Sequence, residues 1–220
     1  MSLPDSENEA GFTKPKRAVF LDRDGTLIEE KGYIQRPEEV VLLPQAAEAL
    51  KGFRTLGLKV VILTNQSGIG RGFYTEADYD KTMARLFDLL REKQTAVDAS
   101  YFCPHAPWER CPCRKPSPGM AERAALELSI DLSRSFVVGD KASDMELARA
   151  IGARGILVRT GFGAKTEQSG TPLWDAAADD LAEAAEIIKG WIAGEKNETR
   201  EEKSLGRDHE SLNGGDGPGA

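Results

Sequence analysis

Two aspartates near the start of the chain are spaced for phosphoryl chemistry. The segment DRDGT at residues 22–26 directly follows an apolar run, which is typical of a buried strand. Asp22 and Asp24 are two residues apart, so both can face one pocket at the carboxyl end of that strand. One carboxylate could attack phosphorus while the other transfers a proton, and Mg²⁺ would offset their repulsion. A calcium EF-hand is disfavoured because it needs Gly and Glu where this chain has Leu27 and Tyr33.

A second segment, LTNQSGIGRG at residues 63–72, also follows an apolar run. Thr64 can donate a hydroxyl hydrogen bond to a phosphoryl oxygen, and Asn65 and Gln66 add amide donors. The glycines of this segment allow backbone N–H groups to approach an anion. Taken alone, the segment is equally well explained as an ordinary turn between a strand and a helix.

Basic residues follow at Arg114 and Lys115. The Lys115 ammonium could neutralise both a phosphate and a nucleophilic carboxylate. The planar guanidinium of Arg114 suits bidentate contact to substrate oxygens. Adjacent basic residues usually lie on the solvated surface, so the assignment of Arg114 and Lys115 to phosphate binding depends on the neighbouring motifs.

The segment VVGDKASD at residues 137–144 supplies a further acid at a strand end. Asp140, together with Asp22 and the backbone carbonyl of Asp24, would give the hard oxygen ligands that Mg²⁺ prefers. Asp144 lies one helical turn later and could orient the site or anchor Lys141. The sequence therefore predicts a magnesium site formed by these groups.

All three cysteines of the chain lie close together beside a histidine. Cys103 and His105 are separated by one residue, as are Cys111 and Cys113, which gives four ligands suited to tetrahedral Zn²⁺. An odd number of clustered cysteines is not typical of disulfides. We expect a structural zinc that holds the loop carrying the basic pair, rather than chance buried thiols.

Composition limits the possible classes of protein. With 220 residues and 40% hydrophobic content, the chain can form one domain of ordinary size. A net charge of −7 argues against nucleic acid or an anionic membrane as partner. No apolar stretch approaches the roughly 18 residues that span a bilayer, and the amino terminus lacks the apolar centre of a signal peptide. We expect a cytoplasmic monomer with a small-molecule substrate.

Apolar runs alternate with helical periodicity along the chain, which predicts an α/β fold with a Rossmann-like parallel sheet and helices on both faces. The predicted strands cover 18–21, 59–64, a segment ending near 103, 135–140 and 155–158. The predicted helices cover about 46–56, 76–91, a segment capped by Ser117 with Pro118 in its first turn, 142–151 and 180–191. We expect a flexible amino terminus at 1–15, a phosphatase domain at 16–193 and a disordered tail at 194–220.

The order of these motifs resembles the haloacid dehalogenase superfamily of aspartyl-phosphate phosphotransferases, over nearly all of residues 17–193. Only a short loop, 28–43, follows the first motif, so a capless enzyme is implied. The resemblance implies the following roles: nucleophile for Asp22, general acid and base for Asp24, phosphoryl binding for Thr64 and Lys115, and completion of the magnesium site for Asp140.

Within that superfamily, three segments resemble those of phosphatases that remove the C7 phosphate of D-glycero-D-manno-heptose 1,7-bisphosphate. They are the zinc loop, which contains the predicted zinc ligands at residues 103–113, and the segments TNQSGIGRGFYTEADY and KGYI. That likeness implies substrate-binding roles for Glu30, Lys31, Gly32, Tyr33, Asn65, Gln66, Ser67, Arg114 and Lys141. The long polar tail and the compact zinc loop depart from the pattern.

Three alternatives stay open at the level of sequence. A histidinol-phosphate phosphatase is one, although that group typically carries an acid where this chain has Ser67. A zinc-knuckle binding module is another, because Tyr101, Phe102 and Trp108 could stack on nucleic-acid bases. A nucleic-acid 3′-phosphatase is the third, and the acidic net charge disfavours both nucleic-acid functions.

Overall fold

A parallel sheet forms the centre of the protein. The computed structural model describes residues 15–169 and 172–210, and the side chains of these residues up to 195. Within this part of the chain the sheet has six parallel strands in the order β3-β2-β1-β4-β5-β6. The strands are β1 (Ala18–Leu21), β2 (Lys59–Asn65), β3 (Ala99–Cys103), β4 (Phe136–Gly139), β5 (Arg154–Val158) and β6 (Ala176–Ala178).

The central strands are apolar on both faces because helices cover both sides of the sheet. In β1, Val19 and Leu21 belong to one core, whereas Ala18 and Phe20 belong to the other, and all four are fully buried. The helices are α1 (Ala46–Thr55), α2 (Ser67–Gly70), α3 (Glu76–Glu92), α4 (Gly119–Leu128), α5 (Ala142–Ala150), α6 (Gly163–Gln168) and α7 (Leu181–Glu210). Helices α1, α3 and α7 contribute to the first core, and α4 and α5 to the second. The predicted fold class is confirmed.

Besides the 3-10 turns at Pro37–Glu39 and Leu132–Arg134, three short elements were not predicted from the sequence: α2, α6 and β6. Helices α2 and α6 have four and six residues, too few to show a helical period. Strand β6 consists of three alanines, which carry little strand propensity. It forms by pairing with the edge of β5, a contact that local sequence does not reveal.

Two helix ends differ from expectation. Ser117 does not cap α4: the N-cap is Pro118, without a side-chain cap bond, and the Ser117 N–H closes a turn onto the Arg114 carbonyl at 2.8 Å. Helix α7 continues to Glu210, beyond the end expected near Trp191 and into the segment from 194 that is expected to lack structure. The added segment is rich in Glu, Lys and Arg, which propagate a helix that a packed apolar first half has already nucleated. Residues 1–14 and 211–220 lie outside the described part.

The connection between β1 and α1 is short, as predicted. It contains a 3-10 turn at Pro37–Glu39 and isolated bridges that pair Ile28 with Leu42 and with Asp24. This leaves the carboxyl end of the sheet open to solvent rather than covered by an inserted domain. Among the described residues, no helix combines the length and apolarity needed to cross a bilayer.

Candidate active site

Adjacent strands bring the distant motifs together. Asp22 follows β1, Thr64 lies near the end of β2, and Asp140 follows β4. Because β1 lies between β2 and β4 and all three strands are parallel, their carboxyl ends meet at one edge of the sheet. The side chains of these three residues are nearly or fully buried there.

Asp22 lies between two ammonium groups. Lys115 Nζ donates to Asp22 Oδ1 at 2.8 Å, and Lys141 Nζ lies 3.4 Å from Asp22 Oδ2. Burial alone would raise the pKa of Asp22, but the positive charges of Lys115 and Lys141 outweigh it and lower the pKa to about 2. Asp22 is therefore an ionised carboxylate at neutral pH, which is the form required of a nucleophile.

Lys115 is held by three oxygens. Its Nζ donates to the Leu63 carbonyl at 2.6 Å and to Asp22, and pairs with Asp144 Oδ1 at 2.6 Å. Burial opposes its charge, but the carboxylates of Asp144 and Asp22 outweigh that effect and raise the pKa of Lys115. Asp144 thus anchors the ammonium of Lys115, whereas its other oxygen accepts the backbone N–H of Lys141 at 3.1 Å.

Asn65 fixes the backbone of Lys115. Its Nδ2 donates to the Lys115 carbonyl at 3.1 Å, and its Oδ1 accepts the Lys115 N–H at 3.0 Å. This pair of bonds joins the end of β2 to the loop that carries the basic residues. The sequence indicated Asn65 only as an amide donor to a bound anion. The two contacts with the Lys115 backbone were not predicted.

The Asp24 carboxylate is engaged by buried donors. Arg23 donates from Nε to Asp24 Oδ2 at 3.0 Å and from its second terminal nitrogen to Oδ1 at 2.9 Å. Gln66 Nε2 donates to Asp24 Oδ2 at 3.0 Å and contacts Thr64 Oγ1 at 2.7 Å. Tyr74 donates its hydroxyl to Gln66 Oε1 at 2.7 Å. Gln66 therefore connects the predicted acid and base to the predicted phosphoryl-binding hydroxyl.

The oxygens expected to hold a metal already surround a cation. Lys141 Nζ lies 3.1 Å from Asp140 Oδ1 and 3.2 Å from the backbone oxygen of Asp24, in addition to Asp22. Glu30 Oε2 is also 3.1 Å away. Burial and the Asp22 carboxylate raise the pKa of Asp140 to about 7, as expected where acids converge without a bound metal. Hard oxygens that converge on a positive charge fit Mg²⁺.

Gly25 is required by the close approach of these segments. Its φ of +88° lies in the left-handed region, and a Cβ there would collide with the Asp140 carboxylate. The Gly25 carbonyl accepts a hydrogen bond from Thr160 Oγ1 at 2.6 Å, and Asp140 Oδ2 accepts the N–H of Phe162 at 2.8 Å. The loop after β5 thus contributes to the site, which sequence reasoning did not identify.

A cavity of about 380 Å³ opens over these groups. Its lining contains most of the residues predicted to bind metal or substrate: Asp22, Asp24, Glu30, Gly32, Tyr33, Asn65, Gln66, Ser67, Arg114, Lys115 and Lys141. Tyr74, Ser143 and Phe162 line it as well and were not predicted. Thr64 and Asp140 lie beneath it, and are 1% and 0% exposed.

Lys31 does not point into this cavity. Its Nζ lies 3.0 Å from the Glu29 carboxylate and donates to the Glu39 carbonyl at 3.1 Å, on the protein surface. The expected role of Lys31 came from its place in the KGYI segment, and that segment reaches the cavity through Gly32 and Tyr33 instead. Sequence spacing alone could not show which of these neighbours faces inward.

The cysteine cluster converges at the end of β3. Cys113 Sγ lies 3.2 Å from Cys103 Sγ, 3.4 Å from Cys111 Sγ and 3.2 Å from His105 Nδ1. The four ligand atoms all lie within 4.8 Å of one another. Ligand atoms on an ideal zinc tetrahedron with bonds of about 2.3 Å are about 3.8 Å apart. The cluster therefore fits Zn²⁺ after an expansion of a few tenths of an ångström.

The cysteine loop packs on the loop after β2. The Gln66 N–H donates to the Cys103 carbonyl, and the Gly70 N–H donates to the Pro104 carbonyl, both at 2.8 Å. Arg71 stacks on Trp108 with its guanidinium carbon 4.9 Å from the ring centroid. Arg71 thus covers one face of the Trp108 ring, while the residue remains 65% exposed.

A parallel α/β sheet with a buried aspartate bound by a lysine and an acidic cluster at its carboxyl edge defines a phosphotransferase of the haloacid dehalogenase class. A family model described as HAD-hydrolase-like matches residues 112–184. A D-glycero-beta-D-manno-heptose-1,7-bisphosphate 7-phosphatase of Pseudomonas putida is 40% identical over 170 residues, which cover 77% of this chain and 97% of the relative. The chain belongs to this heptose-bisphosphate phosphatase family.

Further relatives and a solved structure carry the same enzyme description. A D-glycero-D-manno-heptose-1,7-bisphosphate 7-phosphatase of Thermosynechococcus vestitus is 42% identical over 192 residues, covering 79% of this chain and 96% of the relative. Among solved structures, the D,D-heptose 1,7-bisphosphate phosphatase of B. bronchiseptica, complexed with magnesium and phosphate, superposes with a TM-score of 0.74 at 34% identity. The match covers 79% of this chain and 98% of that structure's chain.

Proposed function

We propose that this protein is a magnesium-dependent phosphatase that hydrolyses the C7 phosphate of D-glycero-D-manno-heptose 1,7-bisphosphate through an aspartyl-phosphate intermediate. The observation that carries the proposal is the ionised Asp22 carboxylate, held by Lys115 at 2.8 Å beneath an open cavity. The substrate assignment is supported by the names of the relatives, because the matches cover 97% and 96% of the length of those relatives.

In the first step, an oxygen of Asp22 attacks phosphorus and the bond between phosphorus and the C7 oxygen breaks. Asp24 acts in this step in its protonated form, and it gives that proton to the departing oxygen, which leaves as the sugar hydroxyl. Lys115 and the Thr64 hydroxyl bind the phosphoryl oxygens as negative charge develops on them. The product of this step is phosphorylated Asp22.

In the second step, water attacks the phosphorus of phosphorylated Asp22. Asp24, now ionised, takes the proton from that water, and the bond between phosphorus and Asp22 breaks. Inorganic phosphate leaves, Asp22 is ionised again, and Asp24 has regained its proton. The enzyme therefore returns to its starting state without an external acid or base.

We assign the magnesium site to Asp22, Asp140 and the backbone oxygen of Asp24. The assignment is supported by the cation that these oxygens surround, the ammonium of Lys141. When bound, Mg²⁺ would neutralise the acids and the phosphate. Displaced from these oxygens, Lys141 would stay beside Glu30 and the cavity, where it can bind substrate.

We assign the four-residue cluster Cys103, His105, Cys111 and Cys113 to a structural zinc. The ligand distances support this assignment, and the residue after the last ligand is Arg114. A zinc ion there would fix the loop from which Arg114 and Lys115 enter the cavity. Reduced thiols also suit a reducing compartment, so we propose that the protein is cytoplasmic.

We propose that Arg114 binds the second phosphate of the substrate. Arg114 lines the cavity together with Lys115 and Lys141, so three positive side chains face the bound molecule. A planar guanidinium binds phosphate in a bidentate manner. The cationic amine of histidinol phosphate would instead be repelled by it, which favours the bisphosphate. All of these groups belong to one chain, so we expect the monomer to be active.

The test is a comparison of kcat/KM for heptose 1,7-bisphosphate and histidinol phosphate with magnesium, in the native protein and in Arg114→Ala. We expect preference for the bisphosphate, and about a tenfold smaller preference in the variant, as for the loss of one charged hydrogen-bonding contact. Hydrolysis of histidinol phosphate at an equal or higher rate would overturn the substrate assignment. An unchanged preference in Arg114→Ala would remove its proposed physical basis.

A further inference from the structure

Arg23 is one of the most deeply buried charged groups of the protein, although it stands between two aspartates in a loop. Its residue is 1% exposed. The guanidinium is bound on one side by both oxygens of Asp24, and it donates to Gln66 Oε1 at 3.1 Å. Arg23 has no role in the proposed reaction steps.

Helix α3 forms the other wall of the Arg23 site. The guanidinium donates to Thr82 Oγ1 at 3.4 Å, contacts Met83 Sδ at 3.8 Å, and lies 5.5 Å from the Tyr79 ring centroid. Burial opposes the charge on Arg23, but the Asp24 carboxylate outweighs that effect and raises the pKa of Arg23. A charge is retained in such a place only when its partners are fixed, because an unpaired buried charge is very costly.

The bonds to Asp24 distinguish its two oxygens. Oδ2 accepts two hydrogen bonds, from Arg23 Nε at 3.0 Å and from Gln66 Nε2 at 3.0 Å. Oδ1 accepts one from Arg23, at 2.9 Å. A carboxylate has about four acceptor positions, two on each oxygen, so Oδ1 retains one position. Asp24 lines the cavity. Because Oδ1 is the oxygen with the unused acceptor position, we assign the exchange of a proton with a bound molecule to Oδ1.

We infer that Arg23 is a positioning residue for Asp24: by its two-point contact, braced by helix α3, it holds Oδ1 in place for proton transfer to the leaving group and from water. The inference rests on the proposed function. Lysine is not an equivalent replacement, because its ammonium is a point charge on a flexible stem and lacks the rigid planar fork that fixes both carboxylate oxygens. Arg23 itself touches no reacting atom.

The test compares Arg23→Met, Arg23→Lys and Asp24→Asn. We expect kcat to fall about 100-fold in Arg23→Met with KM little changed, because a misplacement of about 1 Å costs a factor of this size. In the Asp24→Asn background, Arg23→Met should lower kcat by less than threefold more, since both changes remove the same function. Arg23→Lys should recover less than a tenth of the lost activity.

4-Nitrophenyl phosphate provides a second readout. Its leaving group departs without a proton, so loss of Asp24 function should slow only the attack of water on phosphorylated Asp22. We expect a burst of about one nitrophenolate per enzyme in both Arg23→Met and Asp24→Asn. Binding of magnesium and beryllium fluoride, which mimics phosphorylated Asp22, should remain within threefold of the native value in Arg23→Met.

Arg17→Met is the matched control. Arg17 precedes the same strand at its opposite end and stacks on Phe136 at 5.0 Å, far from the catalytic groups. Its loss should lower stability without a burst. If Arg23→Met does not fold, Thr82→Val, which removes one brace of Arg23, should give a smaller fall in kcat of the same kind.

Additive effects of Arg23→Met and Asp24→Asn, or a fall in kcat without a burst, would overturn the inference. So would full activity of Arg23→Lys. The proposed function is tested separately by Asp22→Asn: if that variant stays active, the function itself is wrong. An inactive Asp22→Asn with a fully active Arg23→Met would refute only the role of Arg23.

Discussion

The protein contains two clusters suited to metals, and they are built in opposite ways. The acidic cluster around Asp22 draws on segments from residue 22 to residue 144, and its charges are already paired with Lys115 and Lys141. The cysteine cluster lies within residues 103–113 and is only partly buried. Its ligands contact one another at 3.2–3.5 Å, and none of them is paired with a positive side chain of the described residues.

This difference indicates where each cluster gets its rigidity. The acidic cluster is attached to strand ends inside the sheet, so the fold determines its geometry before any ligand binds. Apart from Cys103 at the end of β3, the cysteine cluster belongs to a loop, and a bound zinc would give that loop much of its order. The two clusters should therefore respond differently to mutation, chelation and pH.

The largest effect should follow from replacing Asp22, the proposed nucleophile. We expect Asp22→Asn to lower kcat by at least about 10⁴-fold, because an amide cannot form the phosphorylated intermediate. Asp24→Asn should lower it by about 10²–10⁴-fold, the range for loss of a general acid and base. Steady-state kinetics, with trapping by beryllium fluoride at Asp22, measures both. Comparable losses well below 100-fold in the two variants would contradict the assigned roles.

The next largest effect should come from the cysteine cluster. We expect Cys113→Ser to lose the single zinc and to lower kcat/KM about 10–100-fold, the size of change seen when the support of a functional group is lost. Metal analysis of protein purified without chelator and kinetics measure the two results. Zinc-free native protein would refute the zinc assignment, and a fully active zinc-free variant would refute its role in positioning.

Asn65→Ala is the matched comparison for Cys113→Ser. It removes the two bonds that hold the Lys115 backbone from the side of the sheet, at 3.1 Å and 3.0 Å. We expect about a tenfold lower kcat/KM, since each bond contributes about 1 kcal/mol or less, with zinc fully retained. Loss of zinc in this variant would mean that the two clusters are not held independently.

Removal of magnesium and removal of zinc should lower the Tm to different extents. We expect removal of magnesium to change the Tm little, because Lys141 already neutralises the acidic oxygens at 3.1–3.4 Å. Removal of zinc should lower the Tm by roughly 2–8 °C, equivalent to about 1–2 kcal/mol for a protein of this size. Thermal unfolding with a magnesium-selective and a zinc-selective chelator distinguishes the two. A larger shift on magnesium removal would reverse the comparison.

The smallest effect concerns pH. Burial raises the pKa of the Cys103 thiol, so protons compete with zinc and its affinity should fall as the pH is lowered. The pKa of Asp22 is lowered to about 2, so its stabilising charge is fully present above its ordinary value near 3.8 and is lost only as the pH falls toward 2. Between pH 7 and pH 5, zinc release should therefore precede protonation of the nucleophile. Zinc titrations at several pH values check the order.

Much of this site could be predicted because its chemistry is local in sequence. The DRDGT segment, the cysteine spacing and the acid after the fourth strand each identify a chemical task by residue type alone. Exact orientation was not predictable from the sequence, and the predicted Ser117 cap was wrong. Lys31 points to the surface, and Ser117 does not cap α4. One residue along a loop reverses the direction of a side chain, and sequence does not encode that direction locally.

The sequence by itself determined the alternating α/β fold, and it predicted the nucleophile and the ligands of both clusters, because apolar periodicity and short spacings are local properties. Only the tertiary structure decided the contacts among distant segments. It placed Asp144 on Lys115 and Asn65 on the Lys115 backbone, and buried Arg23 against Asp24 and helix α3. These pairings depend on strand order and helix packing, because only the folded chain brings side chains that are far apart in the sequence within reach of the same buried charges and hydrogen-bonding groups.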